Sequence, residues 1–318
     1  MSVLRLILRR LALGVATAIF VLSAVFSLFT LTADWVLGGR IGQARFVGED
    51  DEEVLESIRD QYLAERGLDA PFYELYLDWM INMVTLNWGT SFETGDPVFS
   101  TVLGATLRTA TYAVPATVLA IGVGVTLGVY VALHPRSRLA GGGIWSAYLL
   151  FAVPNFWVGG LVVSLAYGDV IEWSPLLFEH VLPVSLAFTT LLGGYVSYSR
   201  AHAREYATAT FTELVRAKGG STRLVAQHVV RNAAVPFVSM LFTEALALLV
   251  CATFVVEVLF GIDGLGLLLL VAVDARDLPV LLGATAVIIF VGVLGTIIQD
   301  VAYGYLDPRV ETGERRTA

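Results

Sequence analysis

Apolar residues in this chain gather into long blocks rather than alternating or recurring singly. Six blocks, residues 11–31, 110–133, 144–167, 181–198, 235–259 and 280–302, are long enough for a membrane-crossing helix, which takes about 20 mostly apolar residues. Backbone groups in lipid must bond internally, so the blocks predict helices rather than isolated strands. Two longer polar stretches, 33–101 and 199–232, separate the blocks. Within the first, Val54, Leu55, Ile58 and Leu63 recur at helical spacing, Gly67 follows as a stop signal and Pro71 opens a further short helix. In the second, a Gly219-Gly220 break separates two short helical patterns. The expected fold is therefore all-α. It is a polytopic membrane protein with six transmembrane helices, an external segment after the first and a cytoplasmic loop between the fourth and fifth.

Charge gives the arrangement a direction. Only 15% of residues are charged, against about a quarter in soluble domains. Fourteen of the 20 basic residues fall before the first block, between blocks two and three, between four and five, or after the sixth. Segment 33–100 holds four basic residues against fourteen acidic ones. The positive-inside rule then predicts cytoplasmic termini and a cytoplasmic 199–232 loop. The division expected is 1–32 for the N-terminal end and first helix, 33–101 external, 102–306 for the five-helix core and 307–318 for a cytoplasmic tail. The first block follows Arg5, Arg9 and Arg10. It is longer than the roughly 7–15 residues of a signal-peptide core, so it reads as a retained anchor. A net charge of −8 with Lys218 as the single lysine suggests a high-salt habitat, where carboxylate-rich surfaces keep proteins soluble.

Several chemistries are missing. There is no GxxxxGK[ST] phosphate loop, HExxH, GxSxG or CxxC. His134, His180, His202 and His228 sit at block ends or in loops, and Cys251 lies in an apolar run. No catalytic residue, metal site, bound cofactor or nucleic-acid partner is expected, and the chain does not read as an enzyme. Glu244, about ten residues into the fifth block, lies near mid-membrane, where a carboxylate faces a bundle interior or an aqueous path. Glu257 is expected to be solvated at the outer end, Asp300 to anchor at the interface or cap a local network, and Arg108 to anchor at the interface. Gly124 and Gly128 have the small-xxx-small spacing of close helix contacts.

The 199–232 loop is much longer than a connection requires, and its first helix is amphipathic, as suits a helix seated in a partner's groove. Glu213, Leu214 and Val215, then Arg216, Ala217 and Lys218, then Gly219 resemble the EAA-x-x-x-Gly signature of ABC importer permeases, with Leu and Val replacing the two alanines. HVVRNAAVP at 228–236 is similar to the HALRNALIP of the oligopeptide/dipeptide branch. Residues 52–80, Asn87-Trp88-Gly89-Thr90-Ser91, Val153-Pro154-Asn155-Phe156, Gly264-Leu265-Gly266, Arg276-Asp277-Leu278-Pro279-Val280, Asp300-Val301-Ala302-Tyr303 and Leu306-Asp307-Pro308-Arg309-Val310 follow that branch in order. Asp263 replaces its usual proline.

The resemblance implies half of a translocation path in the plasma membrane for a peptide-like or other small solute. It implies a second homologous permease, two ATPase subunits that bind the ATP, and an external solute-binding protein that meets segment 33–101. Glu213 to Gly219 would couple to an ATPase, with Arg231, Asn232 and Pro236 supporting the loop, and Glu244 would line the path. The residues alone leave two other functions open. These are a self-contained ion-coupled transporter and a non-transporting scaffold in the bilayer. They do not name the solute.

Overall fold

The computed structural model describes residues 3–167, 174–234, 236–238 and 253–306, and among them it holds helices and no β-strand. The helices are α1 Val3–Leu31, α2 Trp35–Phe46, α3 Glu52–Glu65, α4 Phe72–Val84, α5 Val98–Leu133, α6 Arg138–Ala152, α7 Asn155–Tyr167, α8 Leu182–Ala207, α9 Thr210–Ala217 and α10 Thr222–Asn232. Beyond them lie α11 Thr253–Phe260, α12 Leu265–Asp274 and α13 Leu278–Leu306. Four helical segments, Ile7–Phe46, Val98–Leu133, Leu177–Ala207 and Leu278–Ala302, are long and apolar enough to cross a membrane. The bent pairs α6–α7 and α11–α12 raise the number to six if each is one span. The protein is thus an all-α polytopic membrane protein, and most of the predicted fifth span lies outside the described residues.

Both bends have local causes. The α6–α7 pair turns by 75° at Val153-Pro154. A residue before proline is pushed from the α region, and Val153 is extended, at φ −75° and ψ 124°. Asn155, opening α7, donates through Nδ2 to Thr190 Oγ1 and accepts from Thr189 Oγ1 at 3.4 Å, so α8 holds the break. The α11–α12 pair turns by 79° after Gly261, whose φ of +63° suits glycine. Residues 260–279, between the fifth and sixth apolar blocks, contain the further apolar helix α12.

The chain divides into two compact units. The first comprises Met1–Leu11, Leu107–Gly266 and Gly292–Ala318. In it α5 and α8 pack in close contact along a buried seam. A β-carbon on Gly124 would lie 2.5 Å from Tyr195 Cβ, and one on Gly128 2.6 Å from Ser199 Cβ and 2.8 Å from Arg200 N. The small-xxx-small spacing on α5 therefore meets residues 195 and 199, one helical turn apart on α8. Around this seam Tyr112, Ala113 and Ala116 pack with Leu186, Ala187 and Val256, while Val129 packs with Ala203, Ala207, Val225 and Val229. Asp300 on α13 pairs with Arg10 on α1, the local network expected of it.

The second unit comprises Ala12–Thr106 and Leu267–Val291, and the junction between α12 and α13 gathers it. Asp34 caps α2, accepting from the Val36 and Leu37 N–H groups, each at 3.0 Å, and also accepts from Tyr62 OH at 2.8 Å. Burial and this bond push the Tyr62 phenol up to about 12. Arg276 Nη2 donates to the carbonyl of Phe29 at 2.5 Å, its Nη1 to Thr32 Oγ1 at 2.9 Å, and its guanidinium stacks on Phe29 and Trp35. Trp35 Nε1 donates to the Asp274 carbonyl at 3.0 Å, and Arg66 Nη1 to that of Arg276 at 2.8 Å. Asp277 accepts from Ser91 Oγ at 2.5 Å, and Gly283 leaves room for Trp88 and Val98.

The α5–α8 seam yields a paired prediction. Gly128→Val should destabilise the protein by about 1–3 kcal/mol through overpacking. Gly122→Ala, on the same helix with nothing within 4 Å of an added β-carbon, should be neutral or stabilising. Thermal unfolding of the two variants in detergent checks the difference.

Candidate functional site

The predicted coupling stretch forms a short helix that stands on the bundle by one face. Membrane helix α8 runs nine residues into the region read as loop and ends at Ala207. After the Thr208–Ala209 turn, α9 begins at Thr210. Thr212 is fully buried and its Oγ1 donates to the Tyr206 carbonyl at 2.8 Å. Val215 packs against the cluster built on Ala203, Ala207, Val225 and Val229. These two contacts, three residues apart, define the inner face of α9.

The outer face is open. Glu213, Leu214, Arg216, Ala217, Lys218 and Gly219 are all exposed, and Leu214 keeps 55% of its surface accessible. An isolated exposed leucine is ordinary, but this one is flanked by charges on a helix fixed from behind. Glu213 lies near the N-terminus of α9, and Arg216 and Lys218 lie near its C-terminus. Each charge opposes the helix-dipole end beside it.

The end of α9 explains both glycines. Gly220 N–H donates to the Val215 carbonyl and Gly219 N–H to that of Arg216, each at 2.9 Å. This paired pattern is a Schellman cap, which needs a left-handed residue just past the helix. Gly219 supplies it, with φ +79°. A β-carbon on Gly220 would fall 2.6 Å from Val215 Cγ1 and 2.8 Å from the Val215 carbonyl oxygen, so Gly220 is required by space. Ser221 then caps α10, accepting from Leu224 N–H at 3.3 Å, and α10 buries Val225 and Val229 one turn apart.

The remaining predicted residues divide. Arg231 and Asn232 are exposed at the end of α10, with Asn232 Nδ2 bonded to the His228 carbonyl at 2.7 Å, and Pro236 is half-buried. Glu244 lies outside the described residues. Among the described residues no group of three or more His, Cys, Asp or Glu side chains is placed to hold a metal ion.

Glu257 corrects an expectation. Read as a solvated outer-end residue, it is fully buried. Its carboxylate accepts from Thr109 Oγ1 at 2.5 Å and from Tyr112 OH at 2.8 Å. Thr109 Oγ1 also accepts from Leu265 N–H at 2.8 Å, at the start of α12. Gly264 and Gly266 lie against the carboxylate, and a side chain on Gly264 would clash with it. The Gly-x-Gly spacing was visible, but the sequence carried no sign that a carboxylate fills the space. Arg108 donates to the Asp263 carbonyl at 3.0 Å, a tie between α5 and the same turn.

Comparison with known proteins adds identity to geometry. Residues 124–312, which include α9 and its cap, match the family model described as "Binding-protein-dependent transport system inner membrane component". The chain is 28% identical to the oligopeptide transport system permease protein AppB of Bacillus subtilis, over 82% of this chain and 87% of the relative. It is 28% identical to the dipeptide transport system permease protein DppB of the same organism, over 80% and 85%. It is 25% identical to the metal-staphylopine import system permease protein CntB of Staphylococcus aureus, over 98% and 99%.

The cap generates a prediction that separates backbone from side-chain effects. Gly219→Val should speed amide exchange across α9 by about tenfold, because a left-handed β-branched residue costs roughly 1–2 kcal/mol. Gly219→Asn should speed it less. Hydrogen exchange read by mass spectrometry over 210–218 measures both.

Proposed function

The chain belongs to the family of binding-protein-dependent transport system inner membrane components and is a permease subunit of an ABC importer, and on that premise we propose that α9 is the surface through which ATPase subunits drive it. The protein is a multi-pass component of the plasma membrane. It works with a partner permease, ATPase subunits and a solute-binding protein. Its relatives are transport subunits rather than enzymes. Neither an ion-coupled transporter nor a scaffold is favoured.

The observation that carries the proposal is the fixed, outward-facing α9. Glu213, Leu214, Arg216, Lys218 and Gly219 are presented from a helix whose Thr212 and Val215 are anchored in the bundle. A groove that takes Leu214 and pairs the flanking charges would grip α9 without reordering it, so little entropy is lost on docking. Motion of the groove would pass through Val215 and the α10 face into α8 and α5. Arg231, Asn232 and Pro236 support the end of that path.

In this reading two ATPase subunits bind and hydrolyse the ATP, and the chain itself holds no cofactor. A second, homologous permease completes the translocation path, and Glu244 lines it. Both termini and the 199–232 loop are cytoplasmic. The distribution of basic residues supports this. Residues 1–32, 33–101, 102–306 and 307–318 then form the first span, an external segment, the core and the tail. The external segment receives the solute-binding protein. The solute is peptide-like, as the names of the oligopeptide and dipeptide relatives suggest.

Leu214→Asp tests the docking surface. Since Leu214 is mostly exposed, the variant should keep its thermal stability within about 0.5 kcal/mol. Co-purification of the ATPase subunits should fall by an order of magnitude or more, as expected when a buried anchor is lost at roughly 1.4 kcal/mol per tenfold. Unchanged assembly and ATP-driven uptake would overturn the assignment.

A further inference from the structure

Two adjacent charged residues, Arg276 and Asp277, occupy the junction of α12 and α13 almost fully buried, at 4% and 2% exposed. They reach toward different parts of the unit that holds them. The Arg276 guanidinium takes the carbonyls of Phe29 and Thr32 at the end of α1, and its Nε lies 3.6 Å from Asp34. The Asp277 carboxylate takes Ser91 Oγ at 2.5 Å and Glu93 N–H at 3.3 Å, in the turn before α5. Between them they tie both ends of the segment that separates α1 from α5.

Two further features show that this junction is held firmly. Arg276 has a φ of +55°, a left-handed conformation that L-residues keep only where the surroundings over-determine it. Those surroundings are the Arg66 guanidinium on the Ala275 and Arg276 carbonyls and Trp35 on the Asp274 carbonyl. The carboxylate that receives Ser91 also caps α13, accepting from Val280 N–H at 3.3 Å. The segment and the first turn of α13 thus share one side chain. Directional bonds to buried charges leave little compliance between them.

We infer that Asp277 and Arg276 are positioning residues that convert docking of the solute-binding protein on segment 33–101 into displacement of α13. The inference rests on the reading above that this segment receives the binding protein. The clasp holds segment and helix as one body, and a force applied to the segment arrives at Leu278 rather than being absorbed in a loop. A junction that served folding alone would, when weakened, lower docking affinity along with activity. A transmitting junction separates the two.

The test uses the assembled importer in lipid nanodiscs and the solute-binding protein that co-purifies with it, loaded from a pool of mixed di- and tripeptides. Asp277→Asn and Ser91→Ala should leave the affinity of the binding protein for the importer within twofold while lowering stimulated ATP hydrolysis about tenfold. Ser91→Cys with Asp277→Cys, in a Cys251→Ala background that removes the native cysteine, should recover at least half of the stimulation when oxidised and lose it on reduction. Full stimulation in both single variants would overturn the inference. So would a loss of stimulation accounted for by lost affinity. Glu52→Lys and Glu56→Lys on the exposed face of α3 test the docking reading separately. Unchanged affinity in both would remove that reading, whatever the clasp variants do.

Discussion

The binding of a buried arginine by the end of another helix organises the unit built from Ala12–Thr106 and Leu267–Val291. A guanidinium leaves water only where its donors find fixed acceptors. The last carbonyls of α1 are such acceptors, since they have no partner within the helix and lie at the negative end of its dipole. Arg276 takes Phe29 and Thr32, and Phe29 and Trp35 cover its faces. Once it is in place, Asp34 serves at once as the α2 cap, the acceptor for Tyr62 and the near counter-charge of Arg276. The neighbouring Asp277 completes the arrangement by holding Ser91 and capping α13. These polar groups act beside a modest apolar core in which Phe26, Trp88, Val98 and Leu282 are buried, while Phe72, Leu77 and Ile81 stay substantially exposed.

The other unit is built on the opposite principle. Its helices approach through absent side chains, with Gly124 and Gly128 on α5 against Tyr195 and Ser199 on α8. Close backbone approach gains dispersion contacts that lipid-facing side chains cannot supply. The same economy of volume lets Gly264 and Gly266 admit the Glu257 carboxylate at the α11–α12 turn, and lets Gly220 bring α10 against α9. A helix seated on so close-packed a bundle moves with it. That rigidity suits α9 to pass a partner's motion inward.

What was legible in the sequence was whatever depends on neighbours in the chain. Long apolar blocks gave the membrane helices. A Gly-Gly pair marked the end of α9, because a Schellman cap is a local requirement. The four-residue spacing of Gly124 and Gly128 marked a helix contact, though not its partner. The clasp was not legible, because Arg276 lies 247 residues from Phe29 and Asp277 186 from Ser91. Nothing in a run of residues announces such pairings. The burial of Glu257 is illegible for the same reason, since its donors Thr109 and Tyr112 lie on α5. The helix α12 is not legible either, because ten mostly apolar residues are too few to announce a membrane helix.

As one part of an ATP-driven importer, this chain should move no solute by itself. Uptake of a radiolabelled di- and tripeptide pool into proteoliposomes measures it most directly. Accumulation is expected only when the partner permease, the ATPase subunits, ATP and the solute-binding protein are all present. Accumulation by this chain alone, driven by an imposed proton or sodium gradient, would contradict it.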